Sequence, residues 1–180
     1  MTWNAFHSRG EILRTVTAAA DARLDGRLPL DVDGVERVFD DEIDLLGALQ
    51  LRWHTRLAGR IERELMSQPM DLETAVIEAW RATADELPGV RLVLDHHRAH
   101  PVDERMASVM ETAAAKEQAV LAVMAGRAGT DSTGAATVGA VLESRARAGR
   151  RPVRRQSPPR SHDRSHRAGL LDRLRAALAA

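Results

Sequence analysis

Apolar side chains recur at steps of three and four residues along residues 35–66, the longest such run in the chain. This spacing places them on one face of an α-helix. Asp33 and Glu36 have the spacing of a capping box at its start, and Pro69 follows its end. We therefore predict one continuous central helix whose apolar face is buried. That face carries Val35, Phe39, Ile43, Leu46, Leu49, Trp53, Leu57, Ile61 and Leu65.

A second apolar row widens the buried face of this predicted helix. Val38, Leu45 and Leu51 form the row. A stripe of that breadth suits a helix with partners on two sides better than a surface helix that touches one. The pattern therefore predicts a helix at the centre of a bundle.

Shorter helical patterns flank the central helix and have their own start and stop signals. Ser8 and Glu11 are spaced as a capping box, Asp71 can cap the helix after Pro69, and Asp103 can open the last one. The predicted helices cover residues 8–24, 72–87, 90–100 and 103–126. No window alternates as a strand does, so we predict no sheet. The fold class is all-α, an up-and-down bundle of four to five helices around the central helix.

The composition changes after Gly126 and divides the chain into three predicted parts. Residues 1–126 form the helical bundle, residues 127–167 a disordered basic linker with at most a marginal helix near 137–147, and residues 168–180 an amphipathic docking helix. Its apolar face holds Leu170, Leu171, Leu174 and Leu178. Such a short helix needs a partner, since isolated helices below about 12–15 residues seldom persist in water.

The net charge of zero hides an asymmetry along the chain. Residues 144–180 contain 11 arginines against two aspartates, so the remainder of the chain is acidic by the same excess. Arginines in this tail can neutralise phosphates or anionic headgroups, or keep a spacer solvated. The tail arginines predicted to bind partners are Arg150, Arg151, Arg154 and Arg155.

The composition also limits the chemistry. The chain has no cysteine, which excludes disulfides, thiolate nucleophiles and cysteine metal sites. It contains neither a signal peptide nor an apolar run of 18 residues, so we expect a cytoplasmic protein without a transmembrane segment. Phosphate-binding and nucleophile-elbow motifs are absent, which favours a protein that is not an enzyme.

One histidine cluster has the residue types of a metal site. On a continuous helix His96, His100 and Glu104 would share a face, and His54 could add a ligand from the central helix. Imidazole and carboxylate ligands suit zinc or non-haem iron. Pro101 interrupts this geometry, and a surface or structural role for the same residues stays open.

His54 also suggests acid–base chemistry. Paired with Glu78 or Asp85, its imidazole would titrate near neutral pH. The alternative is a half-buried histidine with ordinary hydrogen bonds.

Three segments resemble a known group of proteins. They are WNAFH with Arg9 and Gly10 at the start, ALQLRWHTRLAG at residues 48–59, and PMDLE at residues 69–73. Together they resemble small helical proteins of unknown function from high-GC actinobacteria, over residues 1–128. The resemblance implies no activity and no catalytic residues.

These observations favour a non-enzymatic interaction or adaptor protein, in which the bundle binds one protein partner and the tail tethers another. A metal-binding bundle with iron or zinc and a redox or oxygen-related role is the alternative. Association with nucleic acid or an anionic surface through the tail is the third. Homo-oligomerisation stays open.

Overall fold

The computed structural model describes residues 3–130 and 132–149, with side chains from residue 9 onward. That part of the chain contains seven α-helices and no strand, and the prediction of an all-α helical bundle is confirmed. The helices are α1 (Trp3–Arg23), α2 (Val35–Val38), α3 (Glu42–Ser67), α4 (Leu72–Glu86), α5 (Pro88–Ala99), α6 (Glu104–Met124) and α7 (Ala135–Ala148).

The predicted continuous helix over residues 35–66 is wrong, because it is two helices. Phe39 is extended between α2 and α3, and the Asp41 side chain caps α3 by accepting a hydrogen bond from the Asp44 N–H at 2.7 Å. Acidic side chains are favourable at a helix N-terminus, where they face its positive dipole end. The predicted capping box of Asp33 and Glu36 is wrong as well, since Gly34 precedes α2 without a side-chain cap.

The other helix boundaries follow the sequence signals in part. Asp71 and Asp103 cap α4 and α6 as predicted, each by accepting from the N–H three residues on. The predicted start at Ser8 is wrong, because α1 begins at Trp3. The first turn of α5 has no cap from its own segment, and Asp21 of α1 accepts from the Gly89 N–H at 2.8 Å instead.

The core lies between α3, α4 and α5 and contains two fully buried tryptophans. Trp53 of α3 and Trp80 of α4 meet edge to face, with ring centroids 5.7 Å apart. Such pairs stabilise a core by about 0.5–1.5 kcal/mol beyond the area that they bury. Aliphatic side chains from α1, α5 and α6, among them Val16, Leu94 and Leu121, complete the core.

At two glycines, the backbones of neighbouring helices are in direct contact. A Cβ on Gly89 would lie 2.1 Å from the Ala20 carbonyl carbon of α1, and one on Gly139 would lie 1.7 Å from the Gln118 carbonyl oxygen of α6. No side chain fits in either space. The α1–α5 and α6–α7 contacts therefore each depend on a glycine.

Helix α7 corrects the predicted domain boundary. We predicted a disordered linker over residues 127–167 with at most a marginal helix near 137–147, whereas Ala135–Ala148 is a helix that packs on α6 and α4. Leu142 and Ala146 of α7 belong to the core. This segment has a short apolar stripe, which its high content of Gly, Ser, Thr and Arg made difficult to recognise in the sequence. The predicted docking helix at residues 168–180 lies outside the described residues.

A surface groove and a buried polar cluster as candidate functional sites

A buried carboxylate, Glu117 of α6, is the centre of a polar cluster inside the bundle. Its side chain is 4% exposed. It accepts a hydrogen bond from the Trp80 indole N–H at 3.1 Å and lies 3.4 Å from the Arg91 guanidinium. The Gln50 amide nitrogen is 3.3 Å from the same carboxylate. A buried charge is tolerated only with partners of this kind.

Ion pairs extend the cluster from Arg91 to α7. Arg91 contacts Asp95 at 2.8 Å, and Asp95 accepts two hydrogen bonds from Arg147 at 2.7 Å each. Arg147 also pairs with Glu143 at 2.6 Å. The Arg91 guanidinium lies over the Trp53 ring at 4.8 Å, and Arg147 lies over Trp80 at 4.9 Å. The cluster thus connects α3, α4, α5, α6 and α7.

The surroundings of these acids keep them ionised. Burial alone would raise the pKa of Glu117, but the hydrogen bond from His54 and the charge of Arg91 outweigh burial and lower this pKa to about 2. Burial also opposes the ionised form of Asp95, yet hydrogen bonds from Arg147 and the charge of Arg91 lower the Asp95 pKa. At neutral pH both carboxylates therefore act as hydrogen-bond acceptors, and the arrangement is suited to holding helices together.

His54 lies beside Glu117, an acid that the sequence analysis did not suggest as its partner. His54 is half-buried, and its Nε2 lies 3.5 Å from the Glu117 carboxylate and 2.8 Å from the Gln50 amide nitrogen. Glu78 instead pairs with Arg81 at 2.7 Å. The alternative of a hydrogen-bonded, half-buried histidine therefore describes His54.

The predicted metal ligands lie in different places. The His96 and His100 rings stack with centroids 5.0 Å apart near the end of α5, whereas Glu104 begins α6 beyond the break at Pro101. His54 lies in the polar cluster on α3. Among the described side chains, those of residues 9–130 and 132–149, no three His, Asp or Glu form a group that could hold a metal ion. A metal cofactor stays a prediction.

Sequence reasoning did not identify Glu117 or Arg91. A signal was present, because Glu117 interrupts the apolar stripe of α6 at a core position between Ala114 and Leu121, where an acid needs a buried partner. Arg91 holds an equivalent position in α5. Which helix would supply the partner could not be read from either pattern.

A groove of about 890 Å³ runs along the outer face of α3. Its floor extends from Ile43 to Arg63, which is roughly 30 Å of helix. Arg9, Gly10 and Leu13 of α1 form one wall, and the end of α4 contributes Glu86 and Leu87. We call this feature the α3 groove.

Leu51 stands in the middle of the α3 groove and is 68% exposed. The sequence had placed Leu51 in the second apolar row together with Leu45, which is fully buried. The described helices therefore cover α3 on the Leu45 side and leave the Leu51 side open.

Arginines surround Leu51 in the groove, and two of them are outside its ion pairs. Arg9 pairs with Asp44 at 2.7 Å, and Arg56 pairs with Glu86. Arg52 and Arg63 make no ion pair with any described residue, and the Arg52 Nε is buried without a hydrogen-bond partner there.

Two glycines in the floor of the groove reduce the stability of α3. A glycine inside a helix costs about 0.5–1 kcal/mol relative to alanine. A Cβ on Gly47 would meet no described atom within 4 Å, and one on Gly59 would meet only the Arg63 guanidinium, at 3.7 Å. Unlike Gly89 and Gly139, these glycines are not required by any packing within the described residues.

The predicted partner-binding residues of the tail cannot be placed. Arg150, Arg151, Arg154 and Arg155, with Leu170, Leu171, Leu174 and Leu178, lie outside the described residues.

None of the described helices has both the length and the apolar character needed to cross a membrane. Comparisons with protein-family models, curated proteins and solved structures found no match.

Proposed function

We propose that this protein is an interaction module that binds a protein partner in the α3 groove. The observation that supports this function is the groove itself, in which an exposed leucine of α3 stands between arginines, two of which form no ion pair with a described residue. Apolar surface with a charged border is typical of protein-binding surfaces on soluble domains. The buried cluster around Glu117 supports the same proposal, because it fixes α3 against four other helices and presents a rigid surface.

The adaptor role adds a second contact through the chain that follows α7. The arginines of residues 150–180 would attach an anionic partner, while the groove binds its own partner. Deleting residues 150–180 should therefore leave groove binding intact and remove only the second interaction.

Site-specific photo-crosslinking in the cells that produce the protein tests the proposal. A photoreactive residue replaces Leu51, and the matched control replaces Met66, which is also on α3 and is 84% exposed outside the groove. We expect an adduct of discrete mass from position 51 and none from position 66. The same adducts from both positions, or none from either, would contradict the proposed function.

A further inference from the structure

The charge of the α3 groove identifies the class of its occupant. Four arginines and two acids are among the described residues that line the groove, an excess of two positive charges, and Asp21 of α1 offsets the charge of Arg52 in part. Acidic side chains opposite Arg52 and Arg63 would supply ion pairs with their guanidinium groups. A basic occupant would add repulsion.

The floor of the groove indicates the shape of the occupant. Gly47, Leu51, Thr55 and Gly59 follow one another at four-residue steps along α3 and form one row on its surface. Small side chains at three of these positions allow another backbone to approach closely, and Leu51 can insert between the side chains of the approaching helix. A straight groove of roughly 30 Å matches about 20 residues of α-helix.

We propose that the α3 groove binds an amphipathic, acidic α-helix of a partner protein. This inference rests on the proposed function and specifies its ligand. The apolar side chains of the partner helix pack around Leu51, and its carboxylates pair with Arg52 and Arg63. The chain's own residues 168–180 carry two arginines against one aspartate, so their charge fits this groove poorly.

Fluorescence anisotropy with three synthetic peptides and the full chain tests the proposal. The first is an amphipathic peptide of about 18 residues with leucine at every third or fourth position and glutamate beside them. The second has lysine in place of each glutamate, and the third has the sequence of residues 168–180. We expect the glutamate peptide to bind at least tenfold more tightly than either other peptide, and this preference to diminish at high salt.

Charge reversal in the groove supplies the matched variants. The double substitution Arg52→Glu and Arg63→Glu should invert the preference between the glutamate and lysine peptides. The control double substitution Arg14→Glu and Arg37→Glu changes the net charge equally at exposed arginines outside the groove, and should leave the preference unchanged. Circular dichroism checks that each variant is folded.

The other outcomes separate this inference from the proposed function. Equal binding of the glutamate and lysine peptides that is lost in Leu51→Asp would overturn the acidic ligand and keep the groove as a binding site. Tightest binding by the peptide of residues 168–180, or a dimer that Leu51→Asp dissociates in sedimentation experiments, would replace the partner with this chain itself. If no peptide binds and position 51 gives no crosslink, both proposals fail.

Discussion

Replacing Glu117 with glutamine tests whether the buried cluster stabilises the bundle through charge. The pKa of Glu117 is about 2, against its usual 4.5. One pKa unit corresponds to 1.36 kcal/mol, so ionised Glu117 contributes about 3 kcal/mol to the free energy of unfolding at neutral pH. Because the folded-state pKa is lowered, this contribution is complete above pH 4.5 and is lost as the pH falls towards 2.

Glutamine resembles protonated glutamate in shape and charge. At pH 7 we therefore expect Glu117→Gln to lower the free energy of unfolding by about 3 kcal/mol. Near pH 2 the difference should fall to about 0.4 kcal/mol, because the wild-type carboxyl is then about half protonated in the folded protein. Urea denaturation at several pH values, followed by the fluorescence of the buried Trp53 and Trp80, measures both free energies.

Glu111→Gln is the matched control. Glu111 is on the same helix, its side chain is 70% exposed, and its contact with Arg98 is long at 3.6 Å. Exposed pairs of this kind contribute little, so its unfolding free energy should follow the wild type at every pH. A difference between Glu117→Gln and wild type that stays constant from pH 7 to pH 2 would refute the electrostatic explanation.

Three further substitutions test the packing. Gly139→Ala should destabilise the protein by about 1–3 kcal/mol in thermal unfolding, because its methyl group would overlap the α6 backbone. Trp80→Phe should cost about 1–2 kcal/mol more than Trp53→Phe, since only the Trp80 indole N–H donates to the buried carboxylate and the Trp53 Nε1 has no hydrogen-bond partner among the described residues. Asp103→Ala should lower stability by about 1 kcal/mol through loss of a helix cap, whereas Asp33→Ala should have little effect.

The stability of each of these variants is compared with that of a matched control variant. Gly134→Ala is the control for Gly139, because a Cβ there would meet no described atom within 4 Å. Equal losses from both glycine variants would contradict the close α6–α7 contact. Equal losses of stability from Trp80→Phe and Trp53→Phe would show that the indole hydrogen bond does not stabilise the protein. A large loss of stability from Asp33→Ala would support the predicted capping box.

Local sequence patterns were sufficient for most helices but not for the break before α3. Periodic apolar residues identified α3 to α6, and Asp71 and Asp103 marked two starts correctly. The apolar periodicity continues through Phe39, however, so it gives no sign that the chain is extended there. The acidic run at Asp40, Asp41 and Glu42 was the signal, because these charges suit a helix start better than a helix interior.

The candidate sites depended on contacts between helices that are distant in sequence. Most of the first apolar row of α3 is buried as predicted, but Leu51 of the second row is exposed, because only the packing of neighbouring helices decides which side of α3 is covered. Glu117 and Arg91 are 26 residues apart and meet only because α5 and α6 pack together. Periodicity identifies which residues share a face of a helix, and tertiary packing decides which faces stay open.

The double substitution Gly47→Ala and Gly59→Ala tests the docking function of the α3 groove most directly. Both alanines favour the helix and meet no close neighbour, so the free energy of unfolding should rise by about 1–2 kcal/mol. The same methyl groups hinder close approach in the groove, so the affinity for the glutamate peptide should fall about tenfold. A variant that is more stable and binds the peptide as tightly as the wild type would contradict a helix docked on this face.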